Sequence, residues 1–171
     1  MESNHKPLLL DAIAKNLDFP MTLERVQDFD PDVVVMESST PSVHKDAQFA
    51  EEVKKISDAT TVFAGRHVTA TTEETLKMFK SIDIVARGEY DYTIMDLANE
   101  LSNGANLKEV LGISFRDNGN IVNNAPDLAI ADIGINLNSE HSFENSFLAN
   151  KIVAIICNND AHKAVSNYDW N

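Results

Sequence analysis

Three stretches decide how this chain folds: Asp30–Ser42 (DPDVVVMESSTPS), Val62–Leu76 (VFAGRHVTATTEETL) and Asp83–Ala98 (DIVARGEYDYTIMDLA). Each opens on a short apolar run, passes through a loop of small, hydroxyl-bearing or charged residues, and continues into an amphipathic segment. The runs Val33–Met36, Thr61–Ala64 and Ile82–Ala86, with Leu8–Ala12 before them, are rich in Val and Ile and apolar on both sides. That is the signature of parallel strands covered by helices on each face.

The segments between the runs read as helices. Thr22 is expected to cap a helix that puts Leu23 and Val26 on one face, and Asp46 precedes Phe49, Ala50, Val53 and Ile56 at helical spacing. Thr71 and Glu74 form a capping box ahead of Leu76 and Phe79. Asp91 or Thr93 opens a fourth helix with the stripe Ile94, Leu97, Ala98 and Leu101, stopped by Gly104. Alternation of this kind predicts right-handed βαβ units and an α/β fold: a flavodoxin- or Rossmann-like doubly wound, mostly parallel sheet with helices on both faces. Past Gly112 the pattern changes. Ile113–Phe115, Asp117-Asn118-Gly119 and Ile121–Val122 predict a β-hairpin at the carboxyl end of that domain. Residues 1–130 are expected to form the α/β domain. Residues 131–171 are expected to be an Asn-rich linker and tail, with an extra strand at Lys151–Cys157 (KIVAIIC).

Composition narrows the function classes. The 171 residues carry 14 Lys+Arg against 27 Asp+Glu, a formal net charge of −13. Such a surface repels phosphate backbones and anionic lipid, so nucleic acid and membrane are not the expected partners. No apolar run has the length of a membrane span, and the opening MESNHKPLLLDAIAKN lacks the features of a signal peptide. A cytoplasmic location is expected. The single cysteine, Cys157, excludes an internal disulfide and any Cys-rich metal site built by these residues alone.

Ligands of open parallel sheets bind beyond the carboxyl ends of the strands. Three such loops stand out here. Glu37-Ser38-Ser39-Thr40-Pro41-Ser42 offers four hydroxyls on a turn stiffened by proline. Gly65-Arg66-His67-Val68-Thr69 begins with a residue that lets backbone approach closely, and Arg87-Gly88-Glu89-Tyr90-Asp91 supplies a second glycine flanked by charge. Together they describe the floor of a crevice for a large ligand with polar edges. Ser, Thr, Gly and Pro are also ordinary turn residues, so residue type alone leaves the site open. Gly-x-Ser-x-Gly and phosphate-cradling patterns are missing from these loops. Glu89 and Asp91 could pair as acid and base by type. They read more simply as an ion-pair partner for Arg87 and a helix cap.

These three stretches, followed by Leu111–Asp132 (LGISFRDNGNIVNNAPDLAIAD), resemble in order and spacing the amino-terminal cobalamin-binding domain of B12-dependent radical SAM enzymes. The resemblance runs from about Leu8 to Asp132, and the GRHVT and RGEYDYT blocks are its most specific parts. It implies cobalamin as cofactor, lying on the loops that contain Ser39, Thr40, Pro41 and Ser42, then Gly65, Arg66, His67, Val68 and Thr69, then Arg87, Gly88 and Glu89. It implies an accessory module with no catalytic residues of its own, serving a radical SAM catalytic domain in trans.

The departures carry expectations too. The resemblance starts at the family's second strand, so the first strand is expected to be missing and a sheet edge exposed to self-association. Lys151–Cys157 could enter the sheet where that strand belongs. The CxxxCxxC motif of a radical SAM core cannot be built from Cys157 alone, so no iron–sulfur cluster is expected on these residues. Asp160-Ala161-His162 echoes the DxHxxG motif in which His ligates cobalt, but Val165 stands where that motif has Gly. A surface His162 is the simpler reading, and Arg66 stands where the family more often has a small residue or proline. The rival readings are a truncated or diverged remnant that binds nothing, and a flavodoxin-like protein binding a nucleotide or flavin.

Overall fold

The computed structural model describes residues 5–104 and 106–127, together with the backbone of 152–156. The described strands form one seven-stranded sheet. In chain order they are β1 (Pro7–Leu10), β2 (Val33–Glu37), β3 (Thr60–Ala64), β4 (Ile84–Ala86), β5 (Ile113–Asp117), β6 (Asn120–Asn123) and β7 (Ile152–Ile156). Their spatial order is β1-β7-β2-β3-β4-β5-β6. The pairs from β1 to β4 are all parallel, and β5 and β6 add an antiparallel hairpin. The doubly wound α/β expectation therefore holds, hairpin included.

The helices follow from local sequence, with two corrections. Helix α1 (Phe19–Phe29) is capped by Asp18, which accepts from the Met21 amide, and not by Thr22, which lies buried inside the first turn. Pro20 in that turn fixes φ for helix entry and needs no amide donor. Helix α2 (Val43–Ile56) buries Phe49, Ala50 and Val53 as expected. The segment after β3 is two short helices, α3 (Arg66–Ala70) and α4 (Thr72–Met78). No capping box forms at Thr71, because its hydroxyl donates back to the His67 carbonyl at 2.9 Å. Helix α5 (Asp91–Ser102) buries Ile94, Leu97 and Ala98 and stops at Asn103, with Gly104 at φ +104° behind it.

The connections β1→β2, β2→β3 and β3→β4 all step the same way across the sheet. Right-handed crossovers then place α1, α2 and α3–α4 on one face. The core shows this directly: Val26, Phe49, Val53, Val68 and Leu76 pack there with Val34, Met36, Phe63 and Val85. The opposite face joins Ile94, Leu97 and Ala98 of α5 to Val33, Val35, Val62 and Ile84. Alternate residues of β2 thus point to opposite cores, and both sets are buried, which is why VVVM shows no polar alternation.

The hairpin turn is Asn118-Gly119, with φ of +50° and +84°, the pair of left-handed residues that a tight type I′ turn requires. Arg116 on β5 fastens the hairpin to the sheet's end. Its guanidinium donates to the carbonyls of Leu76 (2.6 Å), Lys80 (3.1 Å) and Ile82. β7 lies between β1 and β2, parallel to both. The outer strand on that side is the four-residue β1, with Pro7 at its start and Leu9 exposed.

Candidate functional site at the carboxyl edge of the sheet

Because β2, β3 and β4 run parallel in close register, Glu37 pairing with Ala64 and Phe63 with Val85, their carboxyl ends release three loops side by side. The ladder itself continues one step, with the Ser38 amide donating to the Ala64 carbonyl at 2.9 Å. Here the chain needs glycine. Gly65 has φ +108° and ψ 169°, a region essentially closed to residues with a Cβ, and a Cβ there would come within 2.7 Å of the Ser38 carbonyl oxygen. Its role is close contact between two loops.

The first loop is built around a buried acid that sequence reasoning had placed only as a helix-start residue. Asp46 is 5% exposed, and its Oδ2 accepts from the hydroxyls of Ser38 and Ser42, both at 2.7 Å. With its proton directed at Asp46, Ser42 Oγ accepts from the Ser39 amide (3.1 Å) and the Ser39 hydroxyl (2.9 Å). A chain Ser39→Ser42→Asp46 holds the turn shut, since buried polar groups must find partners. The signal was in the sequence: Asp46 falls on the stripe of Phe49, Ala50 and Val53, so its carboxylate had to face the core.

Two hydrogen bonds tie the three loops together. Thr40 Oγ1 and His67 Nδ1 are 3.1 Å apart, joining the first loop to the second. The Gly88 amide donates to Thr69 Oγ1 at 3.1 Å, joining the third to the second. Tyr90 of the third lies near the Glu37 carboxylate of the first. Burial, and then the carboxylates of Glu37, Asp91 and Glu89, raise the Tyr90 phenol above its ordinary pKa, so it stays protonated. Both hydrogen bonds meet on the second loop, which ties the first and third together.

The expected site residues divide by what they present. Thr40, Pro41, Arg66, Gly88 and Glu89 are exposed, and Ser39, His67 and Thr69 are half-buried. Ser42, Gly65 and Val68 are buried, so they shape the floor and Val68 packs into the core. Arg87 does not pair with Glu89. Its guanidinium donates to the carbonyls of Ile113 and Asn124, and its amide donates to Gly112, anchoring the hairpin. Asp91 is the first residue of α5 and Tyr90 holds the cap position, so the expected Asp91 cap is not formed. Gly88, at φ +74°, has open space where a Cβ would project. Cys157, Asp160 and His162 lie outside the described residues.

Nothing here builds a protein metal centre: among the described residues no three of His, Cys, Asp and Glu cluster for a metal ion. No helix of the described residues is long and apolar enough to cross a membrane. What the arrangement offers is a linked surface with hydroxyls, backbone donors and an open glycine, groups that suit a ligand with polar edges.

Residues 2–98 match the family model of the B12 binding domain. An uncharacterized methyltransferase of Pyrococcus horikoshii is 32% identical over 134 residues, covering 78% of this chain and 29% of the relative. An anaerobic magnesium-protoporphyrin IX monomethyl ester cyclase of Cereibacter sphaeroides is 29% identical over 132 residues, covering 72% of this chain and 21% of the relative. The chain thus spans less than a third of these relatives. Among solved structures, the radical S-adenosylmethionine methyltransferase TsrM of Kitasatospora setae superposes with a TM-score of 0.60 at 17% identity. That match covers 68% of this chain and 23% of the other. The cobalamin-dependent S-adenosylmethionine radical enzyme OxsB gives 0.57 at 17% identity, over 64% of this chain and 16% of that one. These two likenesses concern the fold. The family match covers more than half of the chain and includes all three loops, and on that ground the chain belongs to the B12-binding domain family.

Proposed function

We propose that residues 1–130 hold cobalamin across the carboxyl edge of β2, β3 and β4 and present it to a radical SAM catalytic domain. The observation that carries this reading is the linking of the three loops, Thr40 to His67 and Thr69 to Gly88, with Tyr90 near the Glu37 carboxylate. A ligand that touches all three meets a floor already in place, so little ordering is left to oppose binding.

The residues take distinct parts. Gly88 and Pro41 leave the flat of the crevice clear, while Thr40, Ser39, Thr69 and backbone amides offer hydrogen bonds to the amide-bearing rim of the corrin ring. Gly65 and Val68 hold the floor in register from beneath. Arg66 and Glu89 stand at the rim as opposite charges. When bound, cobalamin supplies cobalt chemistry. The chain's own contribution is to hold and orient the ring, which makes it an accessory module and places catalysis on a partner domain. Self-association through the outer edge of β1 is a separate proposal that light scattering tests.

The experiment is a visible-absorbance titration with hydroxocobalamin, using Gly88→Trp as the blocked control. Gly88 is the better place for it because its Cβ position is open, whereas at Gly65 any side chain collides with backbone. Saturable binding to the natural chain, lost in the Trp variant, is the expected result. A folded chain that leaves the spectrum unchanged would overturn the proposal.

A further inference from the structure

β7 sits out of sequence order. It follows the hairpin in the chain, yet it pairs with β1 from Pro7↔Ile152 to Leu10↔Ile155 and with β2 from Val33↔Ile152 to Glu37↔Ile156. β1 and β2 are not neighbours, so β7 is what joins them. Without it, β1 has no strand partner and β2 keeps only β3. Register carries this to the crevice, because Ile156, the last residue of β7, stands beside Glu37. From Glu37 the first loop departs, and its carboxylate lies near Tyr90 of the third loop.

Local sequence does little to hold β7 there. A two-residue turn joins β5 to β6, but residues 124–151 separate β6 from β7. Its place is set by two ladders to strands distant in the chain and by the apolar run IVAII. The strand's placement therefore depends on its surroundings in the sheet.

We infer that docking of β7 and occupation of the carboxyl-edge crevice are linked, β7 acting as the positioning strand of the first loop. This rests on the reading of the crevice as a corrinoid site. A ligand that contacts the loop leaving Glu37 binds the docked sheet better than a sheet without β7, and the same free energy then holds β7 in place. The C-terminal strand gates binding, and binding retains the strand.

Hydrogen exchange on the intact chain, with and without hydroxocobalamin, tests this. The expected result is that the ligand slows exchange at Ile152–Ile156 and Leu8–Leu10 together, by about tenfold or more, and leaves Ile121–Asn123 unchanged. As a second arm, Ala154→Pro removes a backbone donor from a strand flanked on both sides, by Leu9 and Val35. Its affinity for hydroxocobalamin should fall about tenfold or more. Binding to the natural chain without added protection at Ile152–Ile156, or equal affinity in a folded Ala154→Pro, would overturn the linkage while leaving the corrinoid reading intact. If hydroxocobalamin gives the natural chain neither a spectral response nor any change in exchange, the corrinoid reading fails and the linkage falls with it. Should Ala154→Pro not fold, the exchange comparison on the natural chain decides alone.

Discussion

Gly65 and Gly88 are both glycines with positive φ, yet substitution should act on different properties. At Gly65 the backbone region is closed to side chains and a Cβ meets the Ser38 carbonyl at 2.7 Å. Gly65→Ala should destabilise the fold by about 1–3 kcal/mol, read by chemical denaturation. Gly88→Trp projects into open space but carries a side chain at φ +74°, so it should cost about 1–2 kcal/mol of stability, leave the protein folded and remove corrinoid binding. Asp46→Ala strips the acceptor from Ser38 and Ser42 in a buried site and should cost about 2–3 kcal/mol, with the first loop loosened. A loss below 0.5 kcal/mol, about the level of a surface change, would contradict that role. The loop glycines were legible in the sequence because they follow strands. Which of them faces a neighbouring loop and which faces open space was not, since that depends on strands brought together from distant positions.

At the level of elements, the strand runs were readable because burial on both faces leaves uninterrupted Val and Ile. The helix starts were less so. Thr22 and Thr71 both look like caps, but each hydroxyl turns back to a carbonyl four residues earlier, Asp18 and His67 respectively. Such local bonds compete with capping. The Arg116 clamp was also hidden, since its three acceptors are carbonyls that any residue type could supply. Arg116→Ala should destabilise by about 1.5–3 kcal/mol and free the end of α4. Arg116→Lys should recover only part of this, because an ammonium lacks the planar fork. Thermal unfolding of the two variants would contradict the account if Lys restored full stability. The strand expected at the carboxyl end was visible as KIVAIIC, and the idea that it could stand in for a missing first strand came from the family resemblance, since no local pattern encodes a parallel place between β1 and β2.

For the whole molecule, the excess of acid sets the pH response. Burial, then Asp127 and Glu100, raise the Asp96 carboxyl above its ordinary pKa, and burial, then Glu89, raise that of Asp91. A pKa raised by folding means that the fold favours the protonated acid. The stability from such a group is complete below its unfolded pKa and is lost as pH rises through the folded value. Asp96→Asn should therefore gain about 0.5 kcal/mol or less at neutral pH, and the gain should vanish in acid. Thermal scans at neutral and acidic pH check this, and a gain that grew on acidification would contradict it. The net charge of −13 is an average over the sequence; among the three loops, Arg66 and Glu89 are exposed charges of opposite sign. The central claim is that the three linked loops bind a corrinoid. Titration of the purified chain with hydroxocobalamin, followed by visible absorbance beside Gly88→Trp, tests it most directly. The account predicts saturable binding that the tryptophan abolishes, and a flat titration of the folded natural chain, or equal binding by both proteins, would contradict it.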